Sequence, residues 1–351
     1  MNSVNREIDM LIVGQGLAGS ILAWQLIQCG KSVLVTHDEH ASSASRVAAG
    51  LFNPVTGQRF VLQSDAEVLI PAARELYTHM EQQFEQPFFY EMPMLRIIKN
   101  EKELSTLYKR KTDPVYSAYL GEITTHPSLN APLGVVEQFQ TGYLDTNALL
   151  DCLKSYFIEN HSFISNQFIH DDLETTAAGI CWNGIKANQI IFCEGYMGRN
   201  NPWFSWLPFQ PAKGEILTLK STAELPDQII NGGRWLLPVH DGNHKVGATY
   251  DHDLSTTRPT EKAEHGLLGA MQQLLIDMPD YEIIAQQCGV RPNTLDKNPF
   301  IGFHPEHHQL GIFNGFGSKG SMLIPYYADL FAQHLTDSAE IPARVDIARI
   351  Q

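Results

Sequence analysis

The sequence predicts an α/β protein with a parallel sheet at its core, and three observations lead to that prediction. Near the N-terminus, a short apolar stretch is followed by glycines in the spacing G-x-G-x-x-G, at Gly14, Gly16 and Gly19. The chain has 351 residues, 43% of them hydrophobic, which is enough for two domains or one large one with an ample core. Amphipathic helical patterns and short β-rich runs in the middle of the chain predict a second, α+β unit.

The first element is a buried strand over residues 8–13, which are almost all apolar and rich in β-branched side chains. Residues 17–29 are apolar on several faces, which predicts a helix packed against a sheet, and Gly30 ends it. Residues 32–35 predict a second strand of the parallel type. A strand, a glycine turn, a helix and a strand within about 30 residues indicate a dinucleotide-binding unit.

Each glycine of the turn has a separate expected role. Gly14 makes the tight turn, Gly16 lets a pyrophosphate approach the backbone, and Gly19 lets the helix pack closely on the strand. The helix N-terminus supplies unpaired N–H groups and a positive potential that favour an anionic group. The cofactor contacts predicted here are Val13, Gly14, Gly16, Leu17, Ala18 and Gly19.

The residue expected to bind the ribose matches the usual sequence pattern less well than the glycine turn does. An acidic residue usually ends the second strand, about 20 residues beyond the glycines, and binds the ribose. Here His37 stands at that end and Asp38 follows it. A neutral His37 can hydrogen-bond a ribose hydroxyl, whereas Asp38 reaches the ribose if the strand runs one residue longer. Both residues therefore remain candidates.

Composition argues against several classes of partner. A net charge of −14 disfavours nucleic-acid backbones and anionic membrane surfaces. No apolar run approaches the ~20 residues of a membrane span, so none is expected. The polar N-terminus does not resemble a secretion signal. The five cysteines are scattered without a CxxC, which predicts reduced thiols and a cytoplasmic location.

The segment after the second strand indicates the cofactor. Residues 42–54, SSASRVAAGLFNP, resemble the corresponding segment of the D-amino-acid oxidase/glycine oxidase family of FAD-dependent oxidoreductases. Relatives that attach FAD through a histidine place it just before A-A-G, where Arg46 stands nearby here, so the resemblance implies non-covalent FAD. The FAD contacts that it implies in this segment are Ser45, Arg46, Ala48, Ala49 and Gly50.

Further matches follow in family order over essentially the whole chain. Residues 188–196 resemble the strand that ends at Gly195 beside the FAD. Residues 211–219 resemble the P-x-R-G hinge, with Lys213 in place of the commoner arginine. Residues 142–153 are a weaker match, whereas residues 288–302 match the family's G-x-R-P-x-T-x-D-x-x-P-x-I-G pattern closely and residues 310–335 match its last strand, loop and closing helix. The final loop also resembles the oxidase domain of the bifunctional tRNA methylaminomethyl-thiouridine enzyme, but the net charge and the lack of a fused methyltransferase argue against a tRNA substrate.

The final loop also makes sense from its own residues. An apolar strand at residues 311–313 leads into a glycine-rich loop and then a helix expected to start near Ser318. The helix N-terminus and Lys319 would place positive charge where a reduced flavin carries negative charge, around N1 and O2. The FAD contacts predicted here are Gly317, Ser318, Lys319 and Gly320.

The resemblance implies an FAD-binding Rossmann-like domain of the glutathione-reductase type, with an inserted α+β substrate domain built on an antiparallel sheet. The FAD-binding domain is expected at residues 1–75, 142–210 and 286–351. The substrate domain is expected at residues 76–141 and 211–285. Amphipathic patterns predict helices at 66–84 and 261–278, and β-rich runs at 234–239 and 244–250 suit the sheet that walls the pocket.

Three residues are candidates for chemistry, in a family where hydride passes from a C–H bond next to nitrogen to flavin N5. Arg291 falls where relatives hold the substrate carboxylate with a forked guanidinium, although pairing with Asp296 or with a backbone carbonyl is the structural alternative. Trp235 falls where many relatives place a tyrosine, which weakens the case for a plain D-amino acid, and core packing is its alternative. Lys245 resembles the lysine that helps O₂ accept electrons in the sarcosine-oxidase branch, or is an exposed strand lysine.

The leading hypothesis is FAD-dependent oxidation of the C–N bond of a small amine or amino acid bearing a carboxylate. Water would hydrolyse the imine, and O₂ or another acceptor would reoxidise the flavin. One alternative is an FAD-dependent 2-hydroxyacid dehydrogenase, which would use Arg291 together with a histidine base. The other is a flavin-binding protein without catalysis. No metal site is predicted, because the HPEHHQ stretch that begins at His304 suits a polar loop.

Overall fold

The computed structural model of this protein describes residues 6–38, 43–176, 179–221, 225–337 and 339–350. Ser42, at the start of the segment that resembles the family, lies outside these residues. In chain order the helices are α1 (Leu17–Gln28), α2 (Ala44–Val47), α3 (Ala66–Phe84), α4 (Glu101–Lys111), α5 (Thr146–Glu159), α6 (Glu261–Leu274) and α7 (Gly320–Asp337).

The strands form two large sheets and two small ones. In chain order they are β1 (Arg6–Val13), β2 (Val33–His37), β3 (Leu51–Phe52), β4 (Val55–Thr56), β5 (Val61–Leu62), β6 (Phe89–Glu91), β7 (Met94–Ile97), β8 (Leu120–Thr124), β9 (Val135–Gln138), β10 (Gly142–Leu144), β11 (Phe163–Ser165), β12 (Leu173–Thr176), β13 (Gly179–Trp182), β14 (Ile185–Phe192), β15 (Ala212–Ser221), β16 (Ile229–Asn231), β17 (Trp235–Pro238), β18 (His244–Gly247), β19 (Tyr281–Arg291), β20 (Phe300–Phe303) and β21 (Leu310–Asn314).

The first sheet has the order β11-β2-β1-β14-β13-β12, and β21 pairs with both β14 and β20. Strand β14 pairs with β13 in its first half and with β21 in its second half. The pairs of β1 with β2 and β14, of β2 with β11, and of β14 with β21 are all parallel. Their carboxyl ends therefore meet at one edge of the sheet, which is where open α/β sheets bind ligands.

Helices cover one face of this sheet. The largest cluster of buried apolar side chains joins β1 and β2 to α1, α3, α5 and α7, and includes Ile12, Ile21, Tyr77, Leu153 and Phe331. Helix α1 is buried on several sides because α7 and α5 both contact it, which explains its nearly continuous apolar sequence. The predicted strand–turn–helix–strand unit is confirmed, with β2 extending to His37.

The second sheet has the order β19-β15-β18-β17-β16-β7-β9-β8. Its neighbours are antiparallel except for β16 and β7, which pair in parallel where the two inserted segments of chain meet. The predicted antiparallel sheet is confirmed, with this parallel pair as its exception. Helix α6 packs on one face through Leu267 and Met271, and the opposite face, with Ile216 and Leu237, is turned toward Ala49.

Several boundaries differ from the sequence-based expectation. The last helix begins at Gly320 rather than near Ser318. Helix α6 ends at Leu274, four residues before residue 278, because Leu275 is extended and bridges to Leu129. The proposed domain limits at residues 75 and 285 fall inside α3 and β19, so the division remains a prediction. Among the described residues, no helix combines the length and apolar content needed to cross a membrane.

Candidate active site

One large cavity lies between the carboxyl edge of the first sheet and the inner face of the second. Its volume is about 910 Å³, at the upper end of the roughly 300–1,000 Å³ typical of small-molecule sites. The glycine turn, the end of β2, the residues after α2 and the loop before α7 line one part of it. The second sheet contributes Gly214, Ile216, Asn231, Trp235 and Arg291. The cavity therefore joins the predicted cofactor residues, except Gly19 and Arg46, to two of the three predicted catalytic ones.

The glycines of the N-terminal turn are required for different reasons. Gly14 has φ +108°, and a Cβ there would lie 2.5 Å from the Cys193 carbonyl oxygen. A Cβ at Gly19 would collide with the carbonyl oxygen of Gly14, so Gly19 is needed for packing although it does not line the cavity. A Cβ at Gly16 meets nothing closer than Ser45 Oγ at 3.3 Å. The space that Gly16 leaves open belongs to the cavity.

The N-terminus of α1 points to the same space. Its N-cap is Gly16, which offers no side-chain hydrogen bond, and the first turn carries no acidic residue. The Leu17 N–H donates to Ser45 Oγ at 3.0 Å. The partial positive charge of this helix end is thus available to an anionic group such as a pyrophosphate. These residues fit the phosphate part of a dinucleotide.

His37 is the last residue of β2, and it lines the cavity together with Asp38. The Gln15 N–H points to His37 Nδ1 at 3.5 Å, which ties the end of β2 to the glycine turn. The strand does not extend to Asp38. The position that usually carries the ribose-binding acid is therefore filled by His37.

We expect His37→Ala to weaken FAD binding more than Asp38→Ala does. Loss of one hydrogen bond to a ribose hydroxyl costs about 1 kcal/mol, or roughly fivefold in Kd. Titration of each apoprotein with FAD, followed by flavin fluorescence, gives the two dissociation constants. If Asp38→Ala has the larger effect, the acidic residue binds the ribose and our assignment of His37 is wrong.

The segment after α2 runs tightly over β10. Ala48, Ala49 and Gly50 line the cavity, and Gly50 has φ +64° with the Leu144 backbone where a Cβ would stand. Arg46 does not line the cavity. Its guanidinium donates to Asp151 at 2.6 Å and so fastens α2 to α5. Of the predicted residues in this segment, Ala48, Ala49 and Gly50 therefore form part of the cavity wall, whereas Arg46 connects α2 to α5 outside it.

The loop before α7 forms another wall, with Gly317, Ser318, Lys319 and Gly320. The Lys319 amine donates to Gln63 Oε1 at 2.6 Å. Burial, with a smaller effect of the charge on Lys297, lowers the pKa of Lys319 from its usual value. Gly195, at the turn after β14, lines the cavity as well.

Arg291 is the last residue of β19, and its side chain is held in place by neighbouring residues. Its guanidinium donates to the carbonyl oxygens of Thr249 at 3.2 Å and Lys213 at 3.4 Å. It lies 5.6 Å from the centre of the Tyr250 ring, and a Cβ at Gly214 would collide with it. Burial lowers the pKa of Arg291 from its usual value.

Of the two structural alternatives for Arg291, pairing with backbone carbonyls is observed, whereas Asp296 is engaged elsewhere. Asp296 accepts a hydrogen bond from Arg349 at 2.7 Å. Throughout the described part of the chain, no carboxylate forms an ion pair with Arg291. A partly buried guanidinium on a cavity wall without an acidic partner is suited to bind an anionic group of a ligand.

Trp235 begins β17 and lies on the cavity wall, with its ring over Gly247 of the neighbouring strand. Beside it stand residues that the sequence did not single out. Asn53 and Asn231 both line the cavity, and both amide nitrogens point at Met94 Sδ, at 3.2 and 3.6 Å. Because these contacts join residues that are far apart in the chain, no local sequence pattern predicts them.

Lys245 lies on β18 opposite Leu237 and Thr218. It is partly buried but is not among the residues that line the cavity. The structure therefore does not bring Lys245 together with Arg291 and Trp235 on the cavity wall.

A hydrogen-bonded cluster of side chains that follows β11 and β14 was also not predicted from the sequence. His170 Nε2 lies 2.8 Å from Glu194 Oε1, and Asn201 donates to the other Glu194 oxygen at 2.8 Å. The bond with Glu194 raises the pKa of His170 from its usual value. The signal available in the sequence was Glu194 itself, a carboxylate directly before Gly195 at the end of a buried strand.

No group of three or more potential metal ligands occurs within the residues that the structure describes. In the HPEHHQ stretch, His304 Nδ1 instead accepts the backbone N–H groups of Glu306 and His307, both at 3.2 Å. The five cysteines are free thiols.

Comparison with known proteins identifies a matching family and several similar proteins. The model of the family described as "FAD dependent oxidoreductase" (DAO) matches residues 9–334. Glycine oxidase from Pseudomonas putida is 31% identical over 136 residues, which is 38% of this chain and 37% of that protein. The tRNA 5-methylaminomethyl-2-thiouridine biosynthesis bifunctional protein from Marinobacter nauticus is 20% identical over 97% of this chain and 58% of its own length.

Solved structures share the fold. Glycine oxidase from Geobacillus kaustophilus has a TM-score of 0.81 at 20% identity, covering 99% of this chain and 98% of its own. Iminodiacetate oxidase from Chelativorans has a TM-score of 0.81 at 21% identity, covering 96% and 98%. At these identities the likeness establishes the fold alone, namely an α/β unit with an inserted α+β unit.

Proposed function

This chain belongs to the DAO family of FAD-dependent oxidoreductases, and on that basis we propose that it oxidises the C–N bond of a small carboxylate-bearing amine or amino acid. The observation that carries the proposal is Arg291. Its guanidinium is fixed by two backbone carbonyls, and it faces a cavity whose other end is the dinucleotide turn.

The residues on the cavity wall fit FAD. The turn at Gly14 and Gly16 and the N-terminus of α1 would hold the pyrophosphate, and the end of β2 would hold the ribose. The loop before α7, with Lys319, would lie beside the flavin. Bound FAD supplies the acceptor for a hydride from the carbon next to the substrate nitrogen.

The protein's own contribution is orientation and the exclusion of water. A bidentate pair between Arg291 and the substrate carboxylate fixes one end of the substrate. Apolar walls, including Ile216, Met94 and Trp235, limit its other positions. Because charges interact strongly where water is excluded, this single pair dominates the placement of the reacting carbon.

Oxidation of a 2-hydroxyacid is less well supported. That reaction would use the same Arg291 clamp together with a histidine base at the substrate hydroxyl. The histidines that line the cavity, within the described ranges, are His37 and His170, which lie at the first sheet's carboxyl edge. We therefore favour amine oxidation.

The electron acceptor is proposed to be O₂ or another acceptor. Because Lys245 does not line the cavity, Lys245→Met is expected to leave both anaerobic reduction and reoxidation by O₂ unchanged. A slower reoxidation in stopped flow would show that Lys245 assists O₂ after all. We also propose a cytoplasmic location, where free thiols such as those of this chain persist.

The test of the function begins with the absorption spectrum. The purified protein is expected to be yellow and to release FAD, without a covalent link, on acid denaturation. Anaerobic mixing with glycine, N-methylglycine, D-amino acids and 2-hydroxyacids then follows bleaching of the flavin. Bleaching by amines supports the proposal, bleaching by hydroxyacids alone supports the dehydrogenase, and no bleaching indicates a flavin-binding protein without catalysis.

Gly214→Ala is expected to lower kcat/KM by about 10²-fold, because its Cβ displaces the Arg291 guanidinium and misplaces the substrate. FAD content should stay the same. Gly266→Ala on α6 is the matched control, since no heavy atom lies within 4 Å of a Cβ there. Steady-state kinetics per bound flavin make the comparison, and an unchanged kcat/KM in Gly214→Ala would contradict the assigned position of Arg291.

A further inference from the structure

We propose that Lys319 accepts the proton that the substrate ammonium group must lose before oxidation, and that Gln63 is the positioning residue that holds its amine. The inference rests on the proposed function, since only an amine substrate brings such a proton. An ammonium nitrogen has no lone pair, so it cannot form the C=N bond as the neighbouring C–H bond breaks. The proton must therefore pass to a base, either a side chain of the cavity or water.

The titratable side chains of the cavity leave few candidates for that base. His37, Asp38, His170 and Glu194 follow strands of the first sheet at the nucleotide-binding edge. The Cys193 thiol is fully buried against the glycine turn, and burial raises its pKa. None of these five is placed by the second sheet or the loop before α7.

The remaining titratable groups that line the cavity in the described ranges are Tyr196, Arg291 and Lys319. Arg291 is permanently charged and is assigned to the carboxylate. Tyr196 lies in the turn after β14, with the Arg199 guanidinium 5.8 Å from its ring centre. Lys319 alone comes from the loop that contacts the Arg291 segment, where a Cβ at Gly317 would stand 2.5 Å from Asn293 Oδ1.

The Lys319 amine is held at a fixed place. It donates to Gln63 Oε1 at 2.6 Å. The Gln63 amide nitrogen donates to the Ser64 carbonyl at 3.2 Å, which directs the oxygen toward Lys319. The Gln63 backbone N–H donates to the Pro54 carbonyl at 2.8 Å. A neutral amide can therefore orient the Lys319 amine without adding the negative charge that would keep it protonated.

The charged surroundings favour the neutral form of Lys319. Within the described part of the chain no carboxylate pairs with it, and the charge that acts on it is that of Lys297. Burial lowers the pKa of Lys319, and Lys297 lowers it further. A lysine in this setting is available as a base at a lower pH than an exposed lysine.

The proton transfer is balanced. One N–H bond of the substrate ammonium breaks, one N–H bond forms at Lys319 Nζ, and the positive charge moves from the substrate to the protein. Lys319 then carries its charge at the N-terminus of α7, where positive charge favours added electron density. The proton returns to water when the product leaves.

The first measurement is independent of turnover. Trace acetylation of the holoenzyme across a pH series, read by mass spectrometry at Lys319, gives the pH midpoint of its amine. We expect a midpoint below the ordinary lysine value of about 10.4. Gln63→Glu should raise the midpoint, because a carboxylate stabilises the ammonium form. Exposed Lys262 on α6 is the internal reference in the same digest.

The second measurement follows kcat/KM against pH with the most active amine of the panel. We expect kcat/KM to rise with pH along a limb whose midpoint equals that of the Lys319 amine. In Gln63→Glu this limb should move to higher pH by the same number of pH units as the Lys319 midpoint does. Lys319→Met should lose about 10²–10⁴-fold in kcat/KM at neutral pH and should lose that limb. Lys262→Met is the matched control, with an unchanged profile.

Two results would overturn the inference while the proposed function stands: an ordinary midpoint at Lys319, or an unchanged pH limb in an active Lys319→Met variant. If Lys319→Met fails to bind FAD, the parallel shifts of midpoint and limb in Gln63→Glu decide instead. If the Lys319 midpoint is lowered but no amine bleaches the flavin, the proposed function is wrong. The inference then fails with it, because there is no amine substrate whose proton Lys319 could accept.

Discussion

Gly16→Val is expected to abolish stable FAD binding, and with it all oxidoreductase activity, while leaving a folded apoprotein. The protein itself tolerates a side chain at this position. Gly16 has an ordinary backbone conformation, and a Cβ meets only Ser45 Oγ at 3.3 Å and Ser43 Oγ at 3.8 Å. The valine methyl groups instead fill the part of the cavity at the N-terminus of α1, where the pyrophosphate must approach the backbone.

The same substitution is expected to lower the melting temperature by the amount that FAD contributes. A ligand that binds only the folded state at 100 times its Kd stabilises that state by about 2.7 kcal/mol, and this term is lost. Flavin absorbance of the purified protein and thermal unfolding with and without added FAD measure both effects. Wild type should melt several degrees higher with FAD, whereas Gly16→Val should show no difference.

Gly266→Val is the control for the change in residue type, because nothing lies within 4 Å of a Cβ at that position. Gly19→Val offers the opposite contrast, since its side chain would collide with the Gly14 backbone and should destabilise even the apoprotein. A Gly16→Val protein that is fully loaded with FAD would show that the phosphates do not pass over this turn.

The N-terminal unit was predictable because its determinants are local. The spacing of Gly14, Gly16 and Gly19 specifies a tight turn and a close helix, and both are set by residues within one supersecondary unit. The positions of His37 and the final glycine loop follow from strand ends for the same reason. The resemblance to a known family extended these local signals to the whole chain.

The substrate side of the cavity was harder to predict because it is built from distant pairs. Gly214 matters only because β15 places it against Arg291, 77 residues later in the chain. Gln63 meets Lys319 across 256 residues. The parallel pairing of β16 and β7 likewise depends on how two separate insertions meet. Sequence proximity was misleading for Asp296, which lies near Arg291 in the chain but pairs with Arg349.

Arg291→Ala is expected to lower kcat/KM for a carboxylate-bearing amine by very roughly 30- to 5,000-fold. Truncating one partner of a buried, hydrogen-bonded charge pair costs about 2–5 kcal/mol, and about 1.36 kcal/mol corresponds to a factor of ten. Much of this cost arises because the substrate carboxylate would be left among apolar walls without a partner. FAD content should hardly change, since Arg291 lies on the second sheet, away from the glycine turn.

Arg291→Lys should recover only part of the activity, because an ammonium group cannot form the two parallel hydrogen bonds of a guanidinium. Arg349→Ala is the matched control, since Arg349 forms an ion pair with Asp296 and does not line the cavity. It should affect stability rather than turnover per bound flavin. If Arg291→Ala instead loses FAD or unfolds while turnover per bound flavin is unchanged, Arg291 is structural. The substrate would then be an amine without a carboxylate, held by other groups of the cavity such as Asn53 and Asn231.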